Sequence, residues 1–404
     1  MYNKEIKKVV LLEHIHPNAY PVFSNGDFKL EILDGALDED ELCQKIKDVS
    51  ILGIRSKTRV TRKILTCADK LEVIGAYCIG TNQIDLRQAS SQGVAVFNAP
   101  YSNTRSVVEL VLGEIIMLIR GVFEKSNKLR HGVWSKSAEG TYEVRGKRLG
   151  IIGYGNIGAQ LSVLAESLGM QVYYYDIVDK LALGNAKRCD SLQQLLEKVD
   201  IVTVHVDGRP ENKGLIGENQ FQLMKDGVIF LNLSRGFVVD IPALVKFLGN
   251  GKIKGAAVDV FPVEPKQNNE QFGSELQNFP NVIITPHIGG STEEAQRNIA
   301  EFVTHKIVDF VQNGSTMLSV NFPNLQLPEI LNAHRLVHVH QNVPGILARI
   351  NNIFAANSIN IEGQYLKTNE HLGYVITDIG IEYERGVIEK IKMIPGTIRV
   401  AILY

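Results

Sequence analysis

The 404-residue sequence predicts an α/β protein with two doubly wound parallel sheets, followed by a smaller unit with the element order βαββαβ. Before residue 315, short apolar segments alternate with segments of helical period, which is typical of parallel sheets covered by helices on both faces. A glycine-rich turn, GYGNIG, follows one of the apolar segments near the middle of the chain. Towards the C-terminus the order changes to strand, helix, two strands, helix and strand, which predicts a ferredoxin-like domain.

Composition and charge narrow the class of protein. An apolar content of 45% with 22% charged residues is ordinary for a globular chain. The length of the chain predicts two to three domains. The formal net charge of -1 gives no general attraction to nucleic acid or to anionic membranes. We therefore expect any bound anion to be held by a local group of cations.

Three features of the sequence bear on location. The N-terminal segment has only a short apolar run, Val9 to Leu12, which is too short for a secretory signal. Residues 106–121 are interrupted by Glu109 and Glu114 and fall short of the roughly 20 residues of a membrane span, so they predict a buried helix. Four cysteines without a CxxC pair suit a reducing compartment, and we expect them to fill core positions. These features predict a cytoplasmic protein with no membrane or nucleic-acid partner.

The expected strands of the two parallel sheets are apolar runs that end at a polar or turn residue. Those that we assign are LEVIGAY, GVAVFNAP, KRLGIIGYGNIG, MQVYYYD, DIVTVHV, VIFLNLS, GAAVDVF and NVIITPH. Residues 312–330 carry Asn, Gly, Ser and Pro without a sustained period, which predicts a linker.

The motif LGIIGYGNIGAQL places Gly153, Gly155 and Gly158 between an apolar strand and a helix. A GxGxxG match alone is weak evidence, because glycines also occupy turns that bind nothing. The next strand ends at Asp176, eighteen residues beyond Gly158, where a carboxylate can accept a hydrogen bond from an adenosine ribose. We therefore expect a dinucleotide site. Asp176 would repel a 2′-phosphate and no arginine follows it to receive one, so NAD is favoured over NADP.

Polar residues follow three later strands: Arg235 in NLSRG, Glu264 in DVFPVEP and His287 in TPHIGGST. The carboxyl ends of strands in a doubly wound sheet face the ligand crevice, so these side chains should converge. Histidine can exchange a hydroxyl proton, a carboxylate can orient the imidazole, and the arginine fork can bind an α-carboxylate. The alternative is a structural Arg–Glu ion pair beside a histidine with no chemical role.

The motifs GYGNIG, NLSRGFVVDIPAL, AAVDVFPVEP and TPHIGGST resemble the D-isomer-specific 2-hydroxyacid dehydrogenase family, over nearly all of residues 1–320. With its C-terminal module, the chain resembles members of that family that carry an ACT domain. The resemblance implies Arg235, Glu264 and His287 as catalytic residues and Asp259 as a contact to the nicotinamide amide. It also implies cofactor contacts from Leu233, Ser234, Gly289 and Gly290.

The same resemblance implies the division into domains. A discontinuous, Rossmann-like substrate domain of residues 1–103 and 295–315 would flank the NAD-binding Rossmann domain, residues 104–294. A linker, 316–331, and a regulatory ACT domain, 332–404, would follow.

Two positions depart from the family pattern. Relatives often read His-x-Pro where this chain has VHVDGRP, so that Asp207 replaces the proline. The position before Ile157 is often basic in relatives and is Asn156 here, so phosphate binding is expected to depend more on backbone amides.

The substrate residues are expected in the polar breaks GIRSKTRVT and YSNTRSVVE of the first domain. The resemblance points to Arg55, Ser56, Lys57 and Asn103, and to Lys136 supplied by a partner subunit. Such cations could bind a phosphate at the far end of the substrate. Basic loop residues are also often merely solvated.

In the C-terminal module, Ile346, Leu347, Ile350, Ile353 and Phe354 keep helical spacing and are expected to be core. By contrast, His340, Asn342 and Asn360 resemble the amino-acid contacts of ACT domains that bind serine. The alternative is that they cap turns.

These inferences predict NAD-dependent oxidation of 3-phosphoglycerate to 3-phosphooxypyruvate, the first step of L-serine synthesis, by a homotetramer that L-serine inhibits. No metal is expected to take part. One alternative is an enzyme that reduces 2-oxoglutarate. The other is a binding protein that senses NADH without catalysis, since transcriptional corepressors of the C-terminal-binding type use the same fold.

Overall fold

The computed structural model describes residues 6–24, 27–265, 269–328, 333–380 and 385–403. The chain divides into two compact units, one formed by Met1–Ser102 with Gln296–Tyr404 and the other by Asn103–Ala295. The predicted class, two parallel α/β sheets and a C-terminal antiparallel domain, is confirmed.

The first unit begins with five short strands separated by helices. The strands are β1 (Lys7–Leu11), β2 (Phe28–Ile32), β3 (Ile51–Ile54), β4 (Val73–Ala76) and β5 (Ala95–Asn98). The helices are α1 (Glu39–Lys45), α2 (Arg62–Thr66) and α3 (Leu86–Ser91). All strand pairs are parallel in the order β2-β1-β3-β4-β5, so the winding direction reverses between β1 and β3.

Local sequence explains where these elements begin. Side-chain oxygens of Asp38, Thr61 and Asp85 accept hydrogen bonds from the first-turn amides of α1, α2 and α3. Every residue of β3, β4 and β5 is buried, as expected for parallel strands covered on both faces.

The cysteines differ from the expectation that they only fill the core. Cys43 in α1 and Cys67 after α2 are joined as a disulfide, with Cα atoms 5.5 Å apart. Their separation of 24 residues carries no motif, so only the packing of the two helices brings them together. Cys78 and Cys189 are thiols, and Cys189 is buried as expected.

The second unit contains seven strands, all in parallel pairs. The strands are β6 (Arg148–Ile152), β7 (Gln171–Tyr175), β8 (Lys187–Arg188), β9 (Ile201–Val204), β10 (Val228–Asn232), β11 (Ile253–Val258) and β12 (Val282–Ile284). Their order is β12-β11-β10-β9-β6-β7-β8, so the winding reverses between β6 and β9.

Between residues 103 and 313 the structure describes seven α-helices. They are α4 (Thr104–Arg120), α5 (Val122–Arg130), α6 (Asn156–Ser167), α7 (Leu192–Lys198), α8 (Glu218–Leu223), α9 (Ile241–Gly249) and α10 (Glu293–Asn313), the last of which continues into the first unit. Helix α4 covers the segment predicted to be a buried helix, and Glu114 on it is fully buried. Across the described residues, no helix is long and apolar enough to span a membrane.

The C-terminal module has the predicted βαββαβ order. Its elements are β13 (His334–Gln341), α11 (Ile346–Ala356), β14 (Ile361–Thr368), β15 (Leu372–Ile379), α12 (Arg385–Lys392) and β16 (Thr397–Ile402). The antiparallel sheet runs β14-β15-β13-β16. Ile346, Ile350 and Phe354 are buried beneath it and Leu347 and Ile353 pack against them, as their helical spacing predicted.

The segment predicted as a linker is well packed where the structure describes it; residues 329–332 lie outside the described residues. Thr316 is buried and bonds the carbonyl of Pro323, while Ser319 pairs with Phe97 of β5. Asn321 receives a 2.8 Å hydrogen bond from the amide of Val96. The domain boundary itself stays a prediction.

One buried ion pair ties the module to the segment before it. Arg335 of β13 and Asp378 of β15 are both 0% exposed and joined by two hydrogen bonds of 2.7 Å. Arg335 also donates to the carbonyls of Asn313, Leu327 and Pro328. A permanent charge can stay buried here because all of its donor nitrogens have acceptors.

Candidate active site

The glycine motif forms the turn between β6 and α6. Gly153 has φ +91°, and a Cβ there would lie 2.4 Å from the carbonyl oxygen of His205 after β9. Only glycine fits such a close approach at positive φ. The motif therefore lies where the sheet reverses its winding, which is the expected ligand position.

The residues at this turn fit a dinucleotide pyrophosphate. A Cβ on Gly155 would meet nothing within 4 Å, so the backbone is open to a ligand there. Gly155 is the N-cap of α6 and no side chain caps the helix, which leaves the first-turn amides of Asn156, Ile157 and Gly158 to bind an anion.

Asp176 follows β7 and points towards the same turn. Its Oδ2 accepts from the amide of Tyr154 at 2.8 Å and its Oδ1 accepts from the amide of Val178 at 2.9 Å. Each carboxylate oxygen can accept a second hydrogen bond, so the group remains able to bind ribose hydroxyls.

The loop after β10 presents Arg235. Buried Asn232 organises it, because its side chain accepts from the amide and hydroxyl of Ser234 and donates to the carbonyl of Arg235. Gly236 is required next, since a Cβ there would lie 2.0 Å from the carbonyl carbon of Phe261. This contact holds the Arg235 loop against the loop that carries Glu264. Leu233 and Ser234 are themselves buried.

His287 and Glu264 form a hydrogen-bonded pair. His287 has φ +55°, and its Nδ1 lies 2.8 Å from Oε2 of Glu264, whose Oε1 accepts from the amide of Phe261. The hydrogen bond to Glu264 raises the pKa of His287, although partial burial acts to lower it. Burial acts to raise the pKa of Glu264, but hydrogen bonds from His287 and Phe261 lower it overall. Because Nδ1 is held by Glu264, Nε2 is the ring nitrogen left to exchange a proton with a substrate.

Arg235 acts electrostatically on both members of this pair. Its charge helps to lower the pKa of Glu264 and opposes the rise in the pKa of His287. The structure therefore brings together the three residues that the sequence placed at separate strand ends.

Asp259 anchors the turn that carries His287. Its carboxylate accepts from the hydroxyl of Thr285 at 2.6 Å and from the amides of Ile288 and Gly289 at 2.8 Å each. Burial raises its pKa. The charge of Asp259 also acts on Glu114 of α4. The pKa of Glu114 is raised to about 8, first by burial and then by the negative charge of Asp259. The family resemblance implies a cofactor contact for Asp259, and its hydrogen bonds to this turn add a structural role.

Asn103 adjoins the same turn. It is the N-cap of α4, and a Cβ on Gly290 would lie 2.4 Å from its Nδ2. The predicted substrate residue Asn103 and the predicted cofactor residue Gly290 are thus neighbours.

In the other unit, Arg55, Ser56 and Lys57 form the loop after β3, at the reversal point of the first sheet. Glu13, buried after β1, accepts from the amides of Arg55, Lys57 and Thr58 at 3.1, 2.9 and 2.8 Å. Arg55 also donates to Oε1 of Gln296 at 2.7 Å. The amides of Arg55, Lys57 and Thr58 are therefore occupied, and the exposed side chains of Ser56 and Lys57 project from a backbone held by Glu13.

Lys136 is not brought to the catalytic group within one chain. It lies on a run of exposed residues, 131–140, that contains Trp134, which is 77% exposed. In the same run, the carbonyl oxygen of Gly140 accepts a hydrogen bond from Nζ of Lys254 on β11. Lys254 is near the start of β11, whereas the catalytic group follows the ends of the strands.

The predicted serine residues of the module fall at two ends of one sheet. His340 pairs with Gly373 and Asn342 donates to the carbonyl of Asn369, at the β14–β15 turn. Asn360 precedes β14 at the opposite end, where its carbonyl accepts from the amide of Gly380. A single chain therefore does not bring all three together.

His340 also differs from the expected polar surface residue. The residue is 3% exposed, its Nδ1 lies 2.7 Å from the carbonyl oxygen of Gln341, and burial lowers its pKa. Within the described part of the chain, its buried Nε2 has no hydrogen-bond partner.

Two organising residues escaped the sequence reasoning, Glu13 and Asn232. Glu13 lies outside the quoted motifs, whereas Asn232 is the first residue of NLSRG. Each organises a loop, Glu13 by accepting hydrogen bonds from its amides and Asn232 by hydrogen bonds to Ser234 and Arg235. A polar residue directly after an apolar strand was the available signal, but it is shared by many residues without such a role.

Comparisons with known proteins agree with this geometry. The family model described as D-isomer specific 2-hydroxyacid dehydrogenase, NAD binding domain, matches residues 112–289, and the AHAS small subunit-like ACT domain matches residues 336–399. The D-3-phosphoglycerate dehydrogenase of Haemophilus influenzae is 51% identical over 398 residues, covering 98% of this chain and 97% of that protein. The enzyme of the same name from Dictyostelium discoideum is 47% identical and covers 100% and 98%.

A solved structure supports the same assignment. The D-lactate dehydrogenase of Aquifex aeolicus, complexed with NAD and lactic acid, superposes with a TM-score of 0.68 at 26% identity, covering 78% of this chain and 100% of that one. The chain therefore belongs to the D-isomer specific 2-hydroxyacid dehydrogenase family and is an NAD-dependent oxidoreductase with a C-terminal ACT domain.

Proposed function

We propose that the protein oxidises 3-phosphoglycerate to 3-phosphooxypyruvate with NAD, the first step of L-serine synthesis from glycolysis, and that L-serine inhibits it. The observation that carries the proposal is the His287–Glu264 pair within the electrostatic reach of Arg235, in a chain that matches curated D-3-phosphoglycerate dehydrogenases along nearly its whole length.

The catalytic residues have distinct roles in this proposal. NAD, when bound, supplies the hydride acceptor. Arg235 binds the substrate carboxylate with its planar fork and polarises the adjacent oxygen. Nε2 of His287 removes the hydroxyl proton, and Glu264 stabilises the imidazolium that results.

Recognition of the phosphate is assigned to the cationic loops. Arg55 and Lys57, with Ser56 and Asn103, offer charge and donors, and Glu13 holds the Arg55 loop rigid. Lys136 reaches the substrate of a neighbouring subunit, which its place on an exposed run of residues supports. The substrate domain is taken as residues 1–103 and 295–315, and a cytoplasmic location remains a prediction from the sequence.

L-serine is proposed to bind between the ACT domains of two subunits in a homotetramer. His340 and Asn342 at one end of the sheet would meet Asn360 from the other copy, because Asn360 lies at the far end within one chain. Strand β14 is an edge of the sheet and is largely exposed, which leaves its backbone groups for pairing with a second copy.

The test follows NADH absorbance in the purified protein with 3-phosphoglycerate and NAD, and in reverse with 2-oxoglutarate and NADH. Oxidation of 3-phosphoglycerate supports the proposal. Reduction of 2-oxoglutarate alone assigns the other substrate, and NADH binding without turnover of either assigns a sensor.

Serine regulation is tested in the same assay. Asn342→Ala should leave uninhibited turnover intact and move inhibition to roughly tenfold higher L-serine, a coupling change of about 1.4 kcal/mol. Lys392→Ala, an exposed residue on α12, is the matched control. Full activity of the wild type in millimolar L-serine, with no heat of binding in calorimetry, would mean that the module senses another ligand.

A further inference from the structure

Asp207 and Arg209 form an ion pair in the loop after β9, at the position where the sequence departs from the family pattern. Nε of Arg209 donates to Oδ1 of Asp207 at 2.8 Å and Nη2 donates to Oδ2 at 2.6 Å, so the guanidinium fork is matched to one carboxylate. Asn212 donates to the same Oδ1 at 3.0 Å and fixes its position. The arginine is held in one orientation although both side chains are about half exposed, at 47% and 56%.

The sheet order places this pair beside the dinucleotide turn. Strands β7 and β9 are the two neighbours of β6. The turn after β6 touches the β9 loop, through the close approach of Gly153 to His205. It touches the end of β7 as well, through the hydrogen bond from Tyr154 to Asp176. Asp176 and the Asp207–Arg209 pair therefore flank the same short turn.

The charges of the two flanks interact. The hydrogen bond to Asp207 is the main reason that the pKa of Arg209 is raised, and the charge of Asp176 contributes to the same rise. In sequence Arg209 is 33 residues beyond Asp176, and the parallel sheet brings the loops that carry them to the same turn.

An arginine near the ribose carboxylate is the group that accommodates a 2′-phosphate in NADP-dependent proteins of this architecture. Here its fork is already occupied by a carboxylate, which would also repel a phosphate dianion. We propose that Asp207 is a specificity-determining residue that holds Arg209 away from the 2′-phosphate of NADP and so reinforces the choice of NAD made by Asp176. This inference rests on the proposed NAD-dependent function and refines its cofactor selection.

The experiment measures nucleotide binding without turnover. Calorimetry on the full-length protein compares 5′-AMP with 2′,5′-ADP, two probes that differ only by the 2′-phosphate. Asp207→Ala should tighten binding of 2′,5′-ADP by about 3- to 10-fold, because an exposed ion pair and a nearby like charge each change an equilibrium by a small factor. Binding of 5′-AMP should change less than 2-fold, by the same estimate.

Three further variants identify the cause. Arg209→Ala in the Asp207→Ala background should remove the gain. Asp207→Asn, which removes the charge but keeps a hydrogen-bond acceptor for Arg209, should give an intermediate gain. Glu143→Ala is the control, because Glu143 forms an exposed ion pair of 3.0 Å with Arg145 in the same unit.

The proposal is overturned if Asp207→Ala leaves the ratio of the two affinities unchanged, or if the gain survives loss of Arg209. Thermal unfolding of each variant shows whether it is folded, and Asp207→Asn keeps the test valid if the alanine variant is not. Failure of the wild type to oxidise 3-phosphoglycerate with NAD would contradict the proposed function, and the calorimetric ratio would still report on Asp207.

Discussion

Two pairs of a cation with a carboxylate, one in each unit, differ in what surrounds them. His287 and Glu264 are 51% and 35% exposed, and the cation is one that titrates near neutral pH. Arg335 and Asp378 are fully buried, and the cation is permanent. Exposure keeps the first pair able to gain and lose a proton. Burial makes the second a fixed structural joint, because neither charge can be left without the other.

The histidines of the two units extend the comparison. The pKa of His287 is raised by its carboxylate partner, whereas burial lowers the pKa of His338 to about 4 and also lowers that of His340. The latter two stack on each other and have no acid partner among the described residues. The same residue type is thus held ready for protonation in one region and kept neutral in the other.

The largest effect is expected at the buried joint. Asp378→Asn would leave Arg335 buried without a countercharge and should lower the free energy of unfolding by about 3–5 kcal/mol. Urea denaturation of the full chain measures it. Asp226→Asn is the control, since Asp226 is 92% exposed in its ion pair with Lys252 and should cost less than about 1 kcal/mol. Equal losses in both variants would contradict the distinction between the pairs.

At the exposed pair the loss should be in turnover instead. His287→Ala should reduce kcat by about 10²-fold or more, because proton transfer is removed, while NADH still binds as judged by its fluorescence. His131→Ala, an exposed histidine of the same unit, should have wild-type kinetics. If His287→Ala turns over normally, its catalytic role is wrong.

Arg235→Lys tests the geometry of the third catalytic residue. A point charge cannot form the two parallel hydrogen bonds of a guanidinium, so KM for 3-phosphoglycerate should rise by roughly 10-fold, about 1.4 kcal/mol, with a smaller change in kcat. Arg145→Lys serves as the surface control. A fall in kcat with no change in KM would instead indicate that Arg235 interacts with the substrate only in the transition state.

Glu264→Gln should give the smallest change, a displaced pH profile. Glu264 raises the pKa of His287, so its removal lowers that pKa, and the acid limb of kcat/KM for oxidation should move to lower pH because the base is deprotonated sooner.

The same variant has a signed effect on stability. A histidine whose folded pKa is raised stabilises the fold below its unfolded value near 6.5, and the contribution is lost as pH rises through the folded value. Glu264→Gln should therefore lower the free energy of unfolding at pH 6. The decrease should be smaller at pH 9, where the wild type has already lost this contribution. In the kinetic experiment, an acid limb of kcat/KM that does not move would mean that the limb reports the titration of a group other than His287.

Motifs made the chemistry of the nucleotide-binding unit predictable. Gly153, Asp176, Arg235, Glu264 and His287 each follow an apolar run of a recognisable strand, and parallel strands must end on one side of a sheet. Glu13 could not be predicted in the same way, because the amides that it bonds follow a different strand, β3. Asn232 stands in the NLSRG motif, but its hydrogen bonds to Ser234 and Arg235 depend on how the chain turns after β10.

The sequence by itself determined the βαββαβ module, the two parallel sheets and the family, since hydrophobic period and glycine spacing act over short stretches of chain. Tertiary structure decided which distant residues meet. It joined Cys43 to Cys67, buried Arg335 against Asp378, and brought the β9 loop that carries Arg209 to the turn that Asp176 also borders. The physical reason is that pairing across a sheet depends on strand order, and strand order is set by packing of the whole chain.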